Sequence, residues 1–513
     1  MAMKLFASIQ IGSTETEMKI HQISPSKGMV TVDCINRRIP LGADAYARGT
    51  LSAPHVQLLV ETLRDFKRTM ESYHVASYRM VATSSLRELK TALITKEYIE
   101  KQTGLKLTIL SNSEQRFLDY KAIAAQTDSF EEVIQKGTAI VDIGGSSMQI
   151  SVFDKDKLIT TQNIRIGKIS TRNRFYPECR SAEHFEKILL KLMEHELTGF
   201  GKLYQKDRKI TTLIATNREL QHLFRGLFEK KKSNIVTKEE FMETYSKIVT
   251  MDSTQITESY GISSEMAMFA GSSAIILRSL LDRFEADSVW FPDATIGDGL
   301  AYDYAAANKA IKSPHMFDED IIAASRSIAK RYKSSSAHIK VVEELSLSLF
   351  DKTKKLHGMG KRERLLLQIS AILHNCGKYI SLTDVADCAY NIIMATEIIG
   401  LSHAERQIVA NVVRFNTAPF VYYDELAAVS SVSREEYLVI AKLTAILKLA
   451  NSLDRSHDQL IKEVAVAVKG SELVITVHCD RDLTLESATL KYGNTLFEEV
   501  FNLAPTLRVI RKA

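Results

Sequence analysis

Residues Ile140–Phe153 read IVDIGGSSMQISVF: an apolar run that meets one aspartate, two glycines and two serines and then resumes. Two apolar strands joined by so short a polar break make a hairpin. Glycine lacks the Cβ that keeps a main chain away from a ligand, and successive exposed N–H groups form a nest for anionic oxygens. The turn at Gly144-Gly145 is therefore expected to cradle a phosphate-sized anion. The N-terminal segment KLFASIQIGSTETEMKIHQI repeats the arrangement. Its Ile9-Gln10-Ile11-Gly12-Ser13 has the apolar-polar-apolar-Gly-small order of Val141-Asp142-Ile143-Gly144-Gly145, and a strand returns after each. Repetition at this separation predicts two related lobes whose glycine turns face each other. A tight turn without a ligand is the plain alternative for either loop alone.

Outward from the hairpins, helix and strand alternate. Ser52 as N-cap and Pro54 in the first turn open a helix over SAPHVQLLVETLRDFKRTMESY. The strand YRMVATS, a helix from Leu86, and the strand LKLTILS running into NSEQRFLDYKAIAA complete an α/β pattern. The second lobe closes near DSVWFPDATIGDGLAYDYAAA. From about Asp318 long helical periods dominate, as in RERLLLQISAILHNCGKYI and EEYLVIAKLTAILKLANSL, and VAVAVKGSELVITVHCD closes the chain with a hairpin at Lys469-Gly470. The expected organisation is lobe I at 1–125, lobe II at 126–310, a helical domain at 318–462 and a small α+β module at 463–513.

Composition bounds the function classes. The 513 residues are 45% hydrophobic and 25% charged, ordinary values for a globular protein of three or four domains. No long apolar run or signal-peptide pattern is present, so a cytoplasmic protein without a membrane partner is expected. Five scattered cysteines with no CxxC spacing argue against a disulfide framework or structural zinc. A net charge of +5 implies no specific nucleic-acid role. Local basic clusters, Arg165, Lys168, Arg172 and Arg174 after the second loop and Lys230, Lys231 and Lys232 further on, suit either a polyanion or a solvated surface.

The motifs IGSTETEM, MVATSSLRELK, ILSNSEQRFLDYKAI, VDIGGSSMQ and FPDATIGDGLAYD stand in the order and spacing of the exopolyphosphatase / guanosine pentaphosphate phosphohydrolase family, which the chain resembles over nearly its whole length. The resemblance implies a two-lobed actin-like (ribonuclease H-like) fold, an appended all-α HD-like domain and an α+β C-terminal module. It implies hydrolysis of a phosphoanhydride between the lobes, releasing terminal phosphate from polyphosphate or guanosine pentaphosphate with Mg²⁺ or Mn²⁺, and a homodimer. Carried over by position, Glu114 would orient the attacking water, and Asp142 would hold the metal. Gly12, Ser13, Thr14, Arg87, Gly144, Gly145, Ser146 and Ser147 would bind phosphate. Solvated or turn-capping roles are the alternatives for Glu114, Arg87 and Asp142.

The departures from the family pattern matter as much. Gln10 and Gln149 stand where carboxylates are usual, Thr14-Glu15 replace Asn-Ser, and Gly297 replaces an arginine. An amide hydrogen-bonds but adds no charge for a cation and serves as no base. In the helical domain His338 and His374 remain, whereas Asn375, Asn451 and Cys388 replace ligand positions, so a satisfied core pair of histidines is expected there. Two further readings compete with the hydrolase: a catalytically weak homologue that binds polyphosphate or guanosine tetra/pentaphosphate, and a kinase using FAGSSAII as an adenosine loop.

Overall fold

The structure, a computed structural model, describes residues 4–25, 28–126, 130–155, 157–206, 208–311, 315–493 and 495–511. The chain divides into two compact units, Met1–Met316 and Phe317–Ala513.

In the first unit, β1 (Lys4–Ile11), β2 (Glu15–Ser24) and β3 (Gly28–Arg38) form an antiparallel meander. Strands β4 (Ser77–Ala82) and β5 (Leu107–Ile109) join in parallel on the other side of β1, giving the order β3-β2-β1-β4-β5. A second sheet contains β6 (Thr138–Ile143), β7 (Met148–Asp154), β8 (Lys157–Ile164), β9 (Thr212–Ala215), β10 (Ile235–Thr237) and β11 (Ser288–Trp290) in the order β10-β11-β9-β6-β7-β8. Its run β8-β7-β6-β9-β11 repeats the first sheet, meander first and parallel strands after, with β10 added antiparallel at the edge. The repeat read from two hairpins is thus a repeat of whole sheets.

Both central strands are covered by helices, which explains their composition. Thr138, Ala139, Ile140, Val141 and Ile143 are all buried, so β6 is a nearly continuous apolar run with no polar face to alternate with. The same register sets up each hairpin mouth: Gln10 pairs with Glu17 across β1-β2, and Asp142 pairs with Gln149 across β6-β7. Each mouth therefore carries one carboxylate and one glutamine, on opposite strands in the two lobes. The suspected adenosine loop is no loop: Phe269–Ile276 lies inside the helix Ser264–Phe284, with Ala270, Ser272, Ser273 and Ala274 all buried. An apolar periodicity that also contains one glycine and two serines reads as a loop only when its neighbours are ignored.

The second unit packs the helices Phe317–Arg331, Ser336–Lys352, Lys361–Leu373, Val385–Ala395, His403–Thr417 and Arg434–Ser452, and then a three-stranded sheet. Strands β12 (Ala465–Lys469) and β13 (Glu472–His478) form the expected hairpin, turned by Gly470 at φ +60°. A third strand, β14 (Ala504–Ile510), returns in parallel to β13 after two short helices. Among the described residues no helix is long and apolar enough to cross a membrane.

Candidate functional site

The two glycine turns have the same local geometry. Gly12 N–H donates to the Glu15 carbonyl at 2.9 Å, and Gly144 N–H donates to the Ser147 carbonyl at 2.9 Å. Each turn is buttressed by the helix that follows its meander. In lobe I, Gly42 N–H donates to the Ser13 carbonyl at 2.7 Å. In lobe II, Lys168 N–H donates to Gly144 O, and the Ile169 and Ser170 N–H groups donate to Gly145 O, all at 3.0 Å. Glycine is required at the contact: a Cβ on Gly167 would lie 2.4 Å from Gly145 O and 2.5 Å from Ser147 N. Tyr46 joins the turns, its hydroxyl 2.6 Å from Ser13 Oγ and 2.7 Å from Ser84 Oγ, with its ring against Gly145.

A cavity of about 390 Å³ opens between the turns. Gly12, Ser13, Thr14, Gly144 and Gly145 line it, as do Gln10 and Asp142. Three longer helices start on its wall, at Asn217-Arg218, Ser263 and Thr295-Ile296. Helix N-termini present unsatisfied N–H groups and a positive dipole end, so their convergence favours an anion. The charged lining has the opposite sign: Glu15, Glu17, Asp119, Asp142, Glu219 and Glu265 against Arg38, Lys168 and Arg218. A cavity built for an anion at its backbone and for a cation at its side chains suits a phosphate that arrives with a metal. Asp142 and the neighbouring amide carbonyls are hard oxygen donors. Among the described residues no three His, Cys, Asp or Glu side chains converge as a closed metal cage. That donor set fits Mg²⁺, which keeps several waters and takes one or two carboxylates plus phosphate oxygens.

Most of the lining acids are already engaged. Arg218 spans the lobes to Glu15 and Glu17, and Glu17 also accepts from Thr295 Oγ1 at 3.1 Å. Lys168 holds Glu219, and Arg38 holds Glu265 at 3.3 Å. Asp142 Oδ2 accepts from Gln115 Nε2 at 3.0 Å. Burial pushes the Asp142 carboxyl up, opposed by Lys168 and by the Gln115 hydrogen bond. Burial and the Asp142 charge push Asp119 well above the usual carboxylate range.

The residues expected from sequence are not all brought together. Glu114 does not line the cavity. Its carboxylate accepts from Ser111 N at 2.9 Å and from Ser111 Oγ at 2.7 Å, closing a capping box on the helix Asn112–Ala124. The neighbouring residue Gln115 faces the cavity instead. Since Gln also serves in a capping box, Glu114→Gln is expected to leave turnover within about threefold of wild type, whereas Glu114→Ala is expected to cost about 1 kcal/mol of stability. Steady-state kinetics and thermal melts of both variants check this.

Arg87 stands beside the cavity, its Nη1 donating to the Leu110 carbonyl at 2.8 Å and to Gln115 Oε1 at 3.3 Å. Ser146 Oγ donates to Glu88, and Ser147 contributes its backbone to the turn. Of the basic cluster Lys168 reaches the cavity, while Arg172 and Arg174 lie over the rings of Tyr176 and Phe175. Sequence reasoning passed over Gln115, Asp119, Tyr46 and Arg218. Only Asp119 carries a signal, an acid one helical turn beyond Gln115 in a helix that buries Phe117, Leu118, Tyr120, Ala122 and Ile123 beside it.

In the second unit His338 and His374 are both 1% exposed, and their rings lie 5.0 Å apart. His338 Nδ1 lies 2.6 Å from Asp454 Oδ2, and the His338 ring stacks on His457 at 3.6 Å. The expected satisfied pair is only half satisfied: Nε2 of each is buried with no hydrogen-bond partner among the described residues. Burial and the neighbouring His338 lower His374 to about 3, which keeps its imidazole neutral.

Two repeated sheets around a glycine-lined cavity define an actin-like, two-lobed protein. Known proteins agree. The Ppx/GppA phosphatase family profile matches residues 20–307, and the profile of Ppx/GppA phosphatase domain III matches residues 322–494. The chain belongs to the Ppx/GppA phosphatase family. It is similar to the guanosine-5'-triphosphate,3'-diphosphate pyrophosphatase of Photobacterium profundum, at 19% identity over 92% of this chain and 91% of that one. The protein of the same name from Pseudoalteromonas translucida is 21% identical over 91% of each chain. Among solved structures, an exopolyphosphatase from Cytophaga hutchinsonii superposes with a TM-score of 0.54 at 14% identity, over 60% of this chain and 100% of that one. The Aquifex aeolicus member of the Ppx/GppA family superposes with a TM-score of 0.51 at 18% identity, over 60% of this chain and 99% of that one.

Proposed function

We propose that the protein is a phosphohydrolase that releases the terminal phosphate of inorganic polyphosphate or guanosine pentaphosphate in the cavity between its lobes. The observation that carries this reading is the pair of matched glycine turns facing one cavity with Asp142 on its wall. The names of the family's members supply the substrate class, a linear phosphoanhydride. Gly12–Thr14 and Gly144–Ser147 would hold the chain end through backbone N–H groups, and the helix starts at Arg218 and Ile296 would face its charge. Mg²⁺ or Mn²⁺, held through Asp142, would neutralise charge on the phosphoryl group when bound.

A second reading has its own observation. Gln10 and Gln115 place amides on the cavity wall, and buried Gln149 leaves its Oε1 without a partner among the described residues. Amides at these three positions, two of them where the family pattern has carboxylates, support recognition of the same polyanions without turnover. The deciding experiment measures phosphate release from polyphosphate and from guanosine pentaphosphate, with Mg²⁺, with Mn²⁺ and with a chelator, beside direct binding of each. Metal-dependent release supports the hydrolase. Binding without release under either metal replaces it with the sensor or scaffold reading.

A further inference from the structure

We propose that Asp119 is the catalytic carboxylate of this cleft, the group that accepts a proton from the water attacking the terminal phosphorus. The assignment rests on the hydrolase reading. Of the six carboxylates that line the cavity, Glu15, Glu17, Glu219, Glu265 and Asp142 each have a hydrogen-bonded or ion-paired partner. Asp119 has none among the described residues, although it is only 8% exposed. A carboxyl on a largely buried residue of the cavity wall, with no side chain holding it, is costly to fold. Such a group is a candidate for chemistry rather than for stability.

The helix geometry supports the role. Gln115 and Asp119 are four residues apart on the helix Asn112–Ala124, one above the other on the same face, and both line the cavity. Gln115 is committed at both ends of its amide, to Asp142 at 3.0 Å and to Arg87 at 3.3 Å, so it is a bridge between them. The capping box of Ser111 and Glu114 fixes the first turn and hence the direction in which Asp119 points.

In the step assigned to Asp119, a water proton passes to its carboxylate oxygen as the water oxygen bonds to the terminal phosphorus. The bond from that phosphorus to the bridging oxygen breaks, and its electron pair leaves on the shortened chain. The products are orthophosphate and a chain one phosphate shorter, and Asp119 returns its proton to solvent.

The test compares wild type with Asp119→Asn for phosphate release, for direct binding of polyphosphate, and for thermal stability, all in the full chain with Mg²⁺ or Mn²⁺. The expected result is a kcat lower by about 10²–10⁴-fold with chain affinity within about threefold. Loss of an unpartnered buried charge should also raise the melting temperature by about 2–4 °C. Should Asn disturb folding, Asp119→Ser is judged by the same kinetic criterion. An active wild type whose Asp119→Asn variant keeps its turnover overturns the Asp119 assignment alone. A wild type that binds the chain and releases no phosphate overturns the hydrolase reading, and the role of Asp119 with it.

Discussion

Asp142→Asn is expected to reduce metal-dependent phosphate release by about 10³-fold or more while leaving the fold intact. The argument is local. Asp142 sits at the mouth of the lobe II hairpin, paired in register with Gln149 and hydrogen-bonded to Gln115 at 3.0 Å. Because Gln149 is an amide, this hairpin mouth has one negative charge to offer, and Asn at 142 would leave it with none. Asn accepts the same Gln115 hydrogen bond, so stability should hold or rise as a buried carboxylate disappears. Calorimetric titration of Mn²⁺ should show affinity falling in step with activity. Activity retained at saturating Mn²⁺ would remove Asp142 from metal binding.

Gly167→Ala is expected to be a damaging small substitution at the lobe II turn, at about 2–4 kcal/mol with a matching loss of phosphate affinity. The backbone at Gly167 is extended, with φ −126° and ψ 157°, so conformation allows any residue. Space does not. The added methyl would meet Gly145 O and the Ser146 and Ser147 backbone at 2.4–2.5 Å, and no flexible side chain is there to yield. Relief requires moving the glycine turn away from the helix N–H groups that hold it. Denaturant unfolding together with polyphosphate binding checks both halves, and an Ala variant with wild-type affinity would show that the turn moves freely.

The fold was legible in the sequence because it is repeated. Ile9–Ser13 and Val141–Gly145 carry the same order of residue sizes, and strands covered on both sides cannot hide their apolar runs. The glycines of the cleft were legible for the same reason, since backbone approach admits few other residues. The directions of the side chains beside them were not. Glu114 and Gln115 are adjacent in sequence and point to different places, because neighbouring positions of a helix with 3.6 residues per turn lie about 100° apart in direction. Family spacing marks the segment, whereas the direction of each side chain depends on where Ser111 caps the helix. Arg218 and Tyr46 were invisible because their partners, Glu15 and Glu17 for one and Ser13 and Gly145 for the other, are distant in sequence. FAGSSAII misled because small residues at a tight helix contact have the composition of a loop.

The sign of the charged lining reaches beyond the cavity, into the order in which things must bind. Six acids face three bases there, so a bare phosphate chain meets repulsion from the side chains before it reaches the backbone N–H groups. A chain already carrying divalent cations meets none. Under the proposed hydrolase reading the working substrate would be the metal–chain complex, and free chain in excess would withdraw cations from solution and compete as an unproductive form. Flux through such a hydrolase would follow the ratio of divalent cation to phosphate residues, so a cell that accumulates the polymer faster than its counter-ions would slow the polymer's own breakdown.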